Sequence, residues 1–289
     1  MLGGRNAVAE QPVQGPETGM VGLANQFVLE AGLNDDGGED YYAEFNFGLP
    51  DLMLFLAAAR THSKVEEIAI GPIVLEATDV TTDYLAAGVS SEPFGPFTFG
   101  VDASHWGDAD AITTQTVRVQ LGANTRDWNL QLAPQTRAID MHTLGGRTRT
   151  VDSNGYGVST TYFGLGPLSI TLGYNKNYYE QDLSRVASLR ALLLVLRGTL
   201  SRQTLELAAG LEDERISAAA YYALPGAMLG VDWFQSVSAV DDSRSNAITL
   251  SAFWDVTARW QLRVKAGQQY PDTNETPLTF ASAGFAYRW

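Results

Sequence analysis

Three histidines, His62, His105 and His142, are the side chains best suited to proton transfer near neutral pH in this 289-residue chain. A serine nucleophile would need one of them beside it and a third group to orient the ring. Their sequence neighbours are Thr61 and Ser63, Ser104 and Trp106, and Met141 and Thr143, and none makes a His–Asp dipeptide. His142 falls in the most basic stretch, Arg137–Asp152, with the next serine only at Ser153, and is read as an exposed loop histidine. The chain has no cysteine, which removes thiolate metal sites, redox centres and disulfides. The acidic stretch Asn34-Asp-Asp-Gly-Gly-Glu-Asp40 lacks the alternate-oxygen spacing and distal glutamate of a calcium loop, and reads as a solvated connection. No enzyme, metal site or cofactor is expected.

What remains is charge set into alternating segments. Arg118, Arg197, Arg263, Lys265 and Arg288, with Glu30, Glu44, Asp102, Glu206 and Asp232, each fall opposite the large apolar residues of their segment. Trp260, Leu262, Val264 and Ala266 interleave with Gln261, Arg263, Lys265 and Gly267. Ile248, Leu250, Ala252 and Trp254 alternate with Thr249, Ser251 and Phe253. Leu168, Ile170, Leu172 and Tyr174 alternate with Ser169, Thr171, Gly173 and Asn175, and Phe45 and Phe47 flank Asn46. A period of two is that of a β-strand with one apolar and one polar face.

Tight turns punctuate the series at Leu49–Asp51, Glu92–Gly95, Gly122–Thr125, Gly164–Pro167, Leu200–Gln203, Leu224–Ala227 and Asp255–Arg259, most carrying Gly, Pro, Asn or Asp. The hairpins are joined by more polar, often acidic connections: Asn34–Asp40, Glu212–Glu214, Asp241–Arg244 and Pro271–Glu275. Aromatics gather near strand ends, at Tyr41, Tyr42, Phe97, Trp128, Tyr178, Tyr179, Trp254, Trp260, Tyr270 and Trp289, as two interfacial girdles would.

The chain ends Leu278-Thr-Phe-Ala-Ser-Ala-Gly-Phe-Ala-Tyr-Arg-Trp289, with Trp289, Tyr287 and Phe285 on one parity and Arg288 on the other. This segment resembles the closing strand of a Gram-negative outer-membrane β-barrel, porin-like in type. The resemblance implies an all-β fold: a transmembrane antiparallel up-and-down barrel of about sixteen strands (range about fourteen to eighteen), with short periplasmic turns and longer acidic outer loops. It also implies a bacterial outer-membrane location, lipid and lipopolysaccharide as surroundings, and assembly machinery acting on the C-terminal strand. A homotrimer or a periplasmic partner protein would fit such a barrel.

Composition is consistent with this. A net charge of −14 argues against nucleic acid. The longest apolar run, Leu52–Ala59, is far short of the roughly 20 residues a spanning helix requires. Residues 1–20 show no strand pattern and are expected to be a periplasmic tail or a plug, with the barrel occupying 21–289 and a signal peptide already removed. The stretch Lys64–Asp79 is either a long loop or an extra hairpin, and Ala187–Leu196, apolar on both faces, could be helical. The lumen is expected to be lined by Glu44, Arg118, Arg197, Glu206, Asp232, Arg263, Lys265 and Arg288, with Arg263, Lys265 and Arg288 forming one basic strip. Any constriction is expected from Lys64–Asp79, Arg137–Asp152 or Met1–Met20, because the third outer connection, Gly107–Ala111, is short. The function expected is passive diffusion of small hydrophilic solutes or ions. The alternative is an accessory barrel that sheathes a partner or forms the export pore of a larger secretion, polysaccharide or electron-transfer complex.

Overall fold

The computed structural model describes residues 25–289 except 36, 66–67, 71–72, 76–77, 92, 109–111, 143–147, 184–210, 241 and 272–276. Alternating apolar and polar residues become strands throughout: β1 (Gln26–Asn34), β2 (Glu39–Gly48), β3 (Leu52–Val65), β4 (Ile68–Ile70), β5 (Ile73–Leu75), β6 (Thr78–Ser91), β7 (Phe97–Asp108) and β8 (Ile112–Asn124). The second half adds β9 (Trp128–His142), β10 (Thr148–Leu165), β11 (Leu168–Tyr179), β12 (Glu212–Leu224), β13 (Ala227–Ser238), β14 (Arg244–Asp255), β15 (Trp260–Pro271) and β16 (Leu278–Arg288).

Fourteen of these strands close into one antiparallel ring, and β4 pairs only with β5, as a small hairpin in the β3–β6 connection. Closure is made by β1 against β16, with Gln26 opposite Arg288 and Asn34 opposite Phe280. A closed ring leaves no wall edge unpaired, which is the condition for crossing a bilayer with strands.

The side chains settle which solvent each face meets. On β14, Leu250 is 63% exposed, while its neighbours Thr249 and Ser251 are 2% and 5% exposed. Leu85, Leu172 and Leu130 are likewise exposed, and Thr82, Asn129 and Gln131 are buried. A protein dissolved in water buries the opposite set. The chain is a transmembrane β-barrel, apolar outside and polar inside.

The ring has the lowest strand number of the expected range. Six of the seven anticipated tight turns join neighbouring wall strands. The seventh, Leu200–Gln203, lies outside the described residues, and β11 pairs directly with β12 without it. The stretches Met1–Met20 and Ala187–Leu196 also lie outside them. Turn chemistry is visible at Leu224-Pro-Gly-Ala227, where Gly226 has φ +73°, the third-position requirement of a type II turn after proline.

Three stretches assigned to connections are largely wall. The described residues of Arg137–Asp152 form the paired ends of β9 and β10, with Arg137 opposite Ser153 and His142 opposite Thr148. Asn34, Glu39 and Asp40 belong to β1 and β2, and Glu212–Glu214 begins β12. Beyond the bilayer both faces of a strand meet polar surroundings, so alternation fades while backbone pairing continues. Lys64–Asp79 contains the ends of β3 and β6 and the β4–β5 hairpin.

At the turn side the aromatic girdle is contiguous: Trp260 lies 4.8 Å from Tyr287 and 5.4 Å from Phe285, and Trp289 lies 5.5 Å from Phe45. Tyr41, Tyr178 and Tyr270 are exposed near the opposite rim. Tyr42 and Tyr179 do not join them. Tyr42 shares the inward parity of Glu44, and Tyr179 packs on an internal apolar cluster.

Candidate functional site in the barrel interior

Strand parity places Glu44 on β2, Arg118 on β8, Asp232 on β13, Arg263 and Lys265 on β15 and Arg288 on β16 on the inward face, with Glu30 and Asp102. Arg197 and Glu206 lie outside the described residues. The interior is organised in layers along the barrel axis.

The middle layer is charged and internally compensated. Glu30 lies 2.9 Å from Arg263 Nε and accepts a hydrogen bond from Lys265 Nζ at 2.8 Å. The three side chains come from β1 and β15, with β16 between them. Gly284 sits in that gap, opposite both Glu30 and Arg263. A Cβ there would fall 2.6 Å from Glu30 Cγ, so the missing side chain is what lets the ion pair reach across an intervening strand. The Arg263 guanidinium also lies 5.2 Å from the Phe253 ring centroid, a cation–π contact on the neighbouring strand. With Glu30 and Arg263 side chains 2% and 6% exposed, these charges are removed from water and depend on one another.

Other interior charges are held locally. Asp102 lies 3.9 Å from Arg118 Nε and accepts from Gln120 Nε2 at 2.8 Å. Glu44 accepts from Tyr42 Oη at 2.5 Å and Asn46 Nδ2 at 2.6 Å. Asp232 accepts from Tyr221 Oη at 2.6 Å. Arg288, at the turn end, lies 3.4 Å from Asp255. The expected basic strip of Arg263, Lys265 and Arg288 is therefore broken up by Glu30 and Asp255, and the field inside the barrel is a set of short dipoles.

The outer end is different. Trp106, Ile112, Ile139, Met141 and Val151 lie on the inward parity of β7 to β10, and they pack with Leu183, Leu211 and Val240 into one cluster at 0–5% exposure. Tyr84 on β6 and Tyr179 on β11 pack against it. Beneath it runs a polar layer in which Gln135 Nε2 donates to Asn177 Oδ1 at 2.8 Å and Arg215 lies 2.5 Å from Glu212. Sequence reasoning missed this cluster, as it missed the inward positions of Arg137 and Arg215. A signal was present: Ile139 and Met141 continue the parity of Asn129, Gln131 and Gln135.

The histidines are not brought together. His62 Nδ1 is 3.2 Å from Thr81 Oγ1, both on the outward parity of β3 and β6. His105 is on the outward parity and Ser104 on the inward one. His142 ends β9. Among the described residues no three His, Asp or Glu side chains group as a metal site.

No protein-family model matches the chain, and no curated protein matches its sequence. Solved barrels resemble it loosely in shape. The OmpT loop L8 deletion mutant, an outer membrane protein of Vibrio cholerae, gives a TM-score of 0.48 at 11% identity, covering 92% of this chain and 97% of that one. The NanC porin gives 0.46 at 8% identity over 91% of this chain and 100% of its own. The outer membrane protein opdK from Pseudomonas aeruginosa gives 0.44 at 9%, over 91% and 97%.

Proposed function

We propose that this barrel is a bacterial outer-membrane channel for passive diffusion of small hydrophilic solutes. The observation that carries this is the inverted burial of its wall. Leucines at mid-strand face outward at up to 63% exposure, while below the apolar outer end the buried inner wall is mainly hydroxyl, amide and charged side chains. Polar side chains on an inner wall need partners or water, and a path for polar solutes supplies the same chemistry. Outer-membrane lipid and lipopolysaccharide would surround the apolar band, and assembly machinery would engage the C-terminal strand.

The test is solute flux into proteoliposomes containing the full chain. Small zwitterionic amino acids should enter faster than into protein-free liposomes. Flux at the protein-free level, with the barrel shown to be inserted and folded, would sink the channel reading. The apolar cluster at the outer end favours a second reading, an accessory barrel with an occupied interior, and a folded barrel without flux would turn attention to it.

A further inference from the structure

The internal apolar cluster bears directly on which solutes can cross. Trp106 stands on β7 and Val240 in the β13–β14 connection, on opposite sides of the fourteen-strand ring. Both nevertheless belong to one buried cluster, together with Ile139, Leu183 and Leu211. Leu183, Leu211 and Val240 come from the β11–β12 and β13–β14 connections and pack onto inward residues of β7 to β10, so these connections reach inward over the bore.

Resting on the channel reading above, we infer that this layer is the permeation barrier and the selectivity element: an apolar constriction that resists water and bare ions and favours small solutes carrying an apolar portion over equally sized, wholly polar ones. An ion or water entering it gives up hydrogen bonds that Ile139, Met141 and Val151 cannot replace, the basis of closure by dewetting. A solute with an aliphatic group regains part of that cost by contact with the same side chains. Its polar group then meets the layer beneath, where Gln135, Asn177 and Arg215 stand.

The experiment compares leucine with asparagine, two zwitterions of nearly equal mass of which leucine is the bulkier, in liposome uptake corrected for protein-free vesicles, together with ion conductance in planar bilayers. The native chain should admit leucine severalfold faster than asparagine and show small unitary currents. Val240→Ser, which alters no strand pairing, and Ile139→Ser should each raise conductance and bring the two uptake rates together, with folding checked by heat-sensitive gel migration. Equal native uptake of both amino acids, or conductance unchanged in both folded variants, would overturn the constriction while leaving the channel standing. Absence of flux in the native chain and in both folded variants would overturn the channel and the constriction together.

Discussion

The inward face of this barrel solves one problem in two ways. Where β1, β16 and β15 meet, the interior is ionic: Glu30, Arg263 and Lys265 are drawn together across the gap left by Gly284. Along β6 to β11, near the outer rim, the same inward parity carries Tyr84, Trp106, Ile112, Ile139, Met141, Val151 and Tyr179. Both regions exclude water from their central side chains, one by charge compensation and the other by apolar packing. Parity fixes which way a residue points. It does not fix whether the surroundings there are wet, because that depends on what arrives from the opposite wall.

The two regions should respond unequally to removal of one partner. Glu30→Ala leaves Arg263 and Lys265 without the carboxylate between them, and breaking a buried pair this way costs about 3–5 kcal/mol. Urea unfolding of the reconstituted barrel should show the loss, and Glu30→Gln should show most of it despite its near-identical shape. If Glu30→Gln left the midpoint unchanged, the ionic region would owe its stability to packing, and the contrast with the apolar layer would collapse.

A smaller effect is expected from Ile139→Val. Ile139 has no exposed surface, and loss of one buried methyl group costs about 0.5–1.5 kcal/mol. The same unfolding measurement checks it. A change within error would mean that Ile139 borders a void instead of filling a packed layer, and a bridging role for the cluster would then be untenable.

Much of this fold is legible in the chain itself, for a physical reason. Within the bilayer each strand must show lipid one residue and the interior the next, so Trp260 to Ala266 or Ile248 to Trp254 declares its orientation residue by residue. Six of the seven anticipated turns reappear, and in three of them a glycine at positive φ, Gly95, Gly166 or Gly226, meets a demand of the backbone itself. Legibility fails where that constraint ends. Above the apolar band Arg137–Asp152 has no lipid to face and looks like a loop, although β9 and β10 are among the longest strands, at 15 and 18 residues. The pairing of Glu30 with Arg263 depends on closing β1 onto β16, residues separated by most of the chain, and no local pattern announces it. The apolar layer is half legible: Ile139 and Met141 share the inward parity of Gln135, but their joining Trp106 and Val240 in one cluster depends on the closed ring.

The smallest effect is expected at a third ion pair, which separates geometry from environment. Arg60 donates to Asp83 through Nε at 2.7 Å and through a terminal guanidinium nitrogen at 2.9 Å, a bidentate arrangement better formed than the contacts of Glu30. It lies on the outward parity of β3 and β6, with side chains 65% and 49% exposed. Cross-strand register carries Asp83 to Gly107, Thr113 and Asp140, within the stretch beyond the apolar band, so both charges keep their hydration, gain little by meeting, and are screened by dissolved salt. Arg60→Ala should therefore leave the unfolding midpoint almost unchanged, with any difference disappearing as salt is raised. If Arg60→Ala cost as much as Glu30→Ala, hydrogen-bond geometry would outweigh burial in this wall. A null result beside a large loss at Glu30 would assign the difference to exclusion of water, the property shared by the two interior regions and absent here.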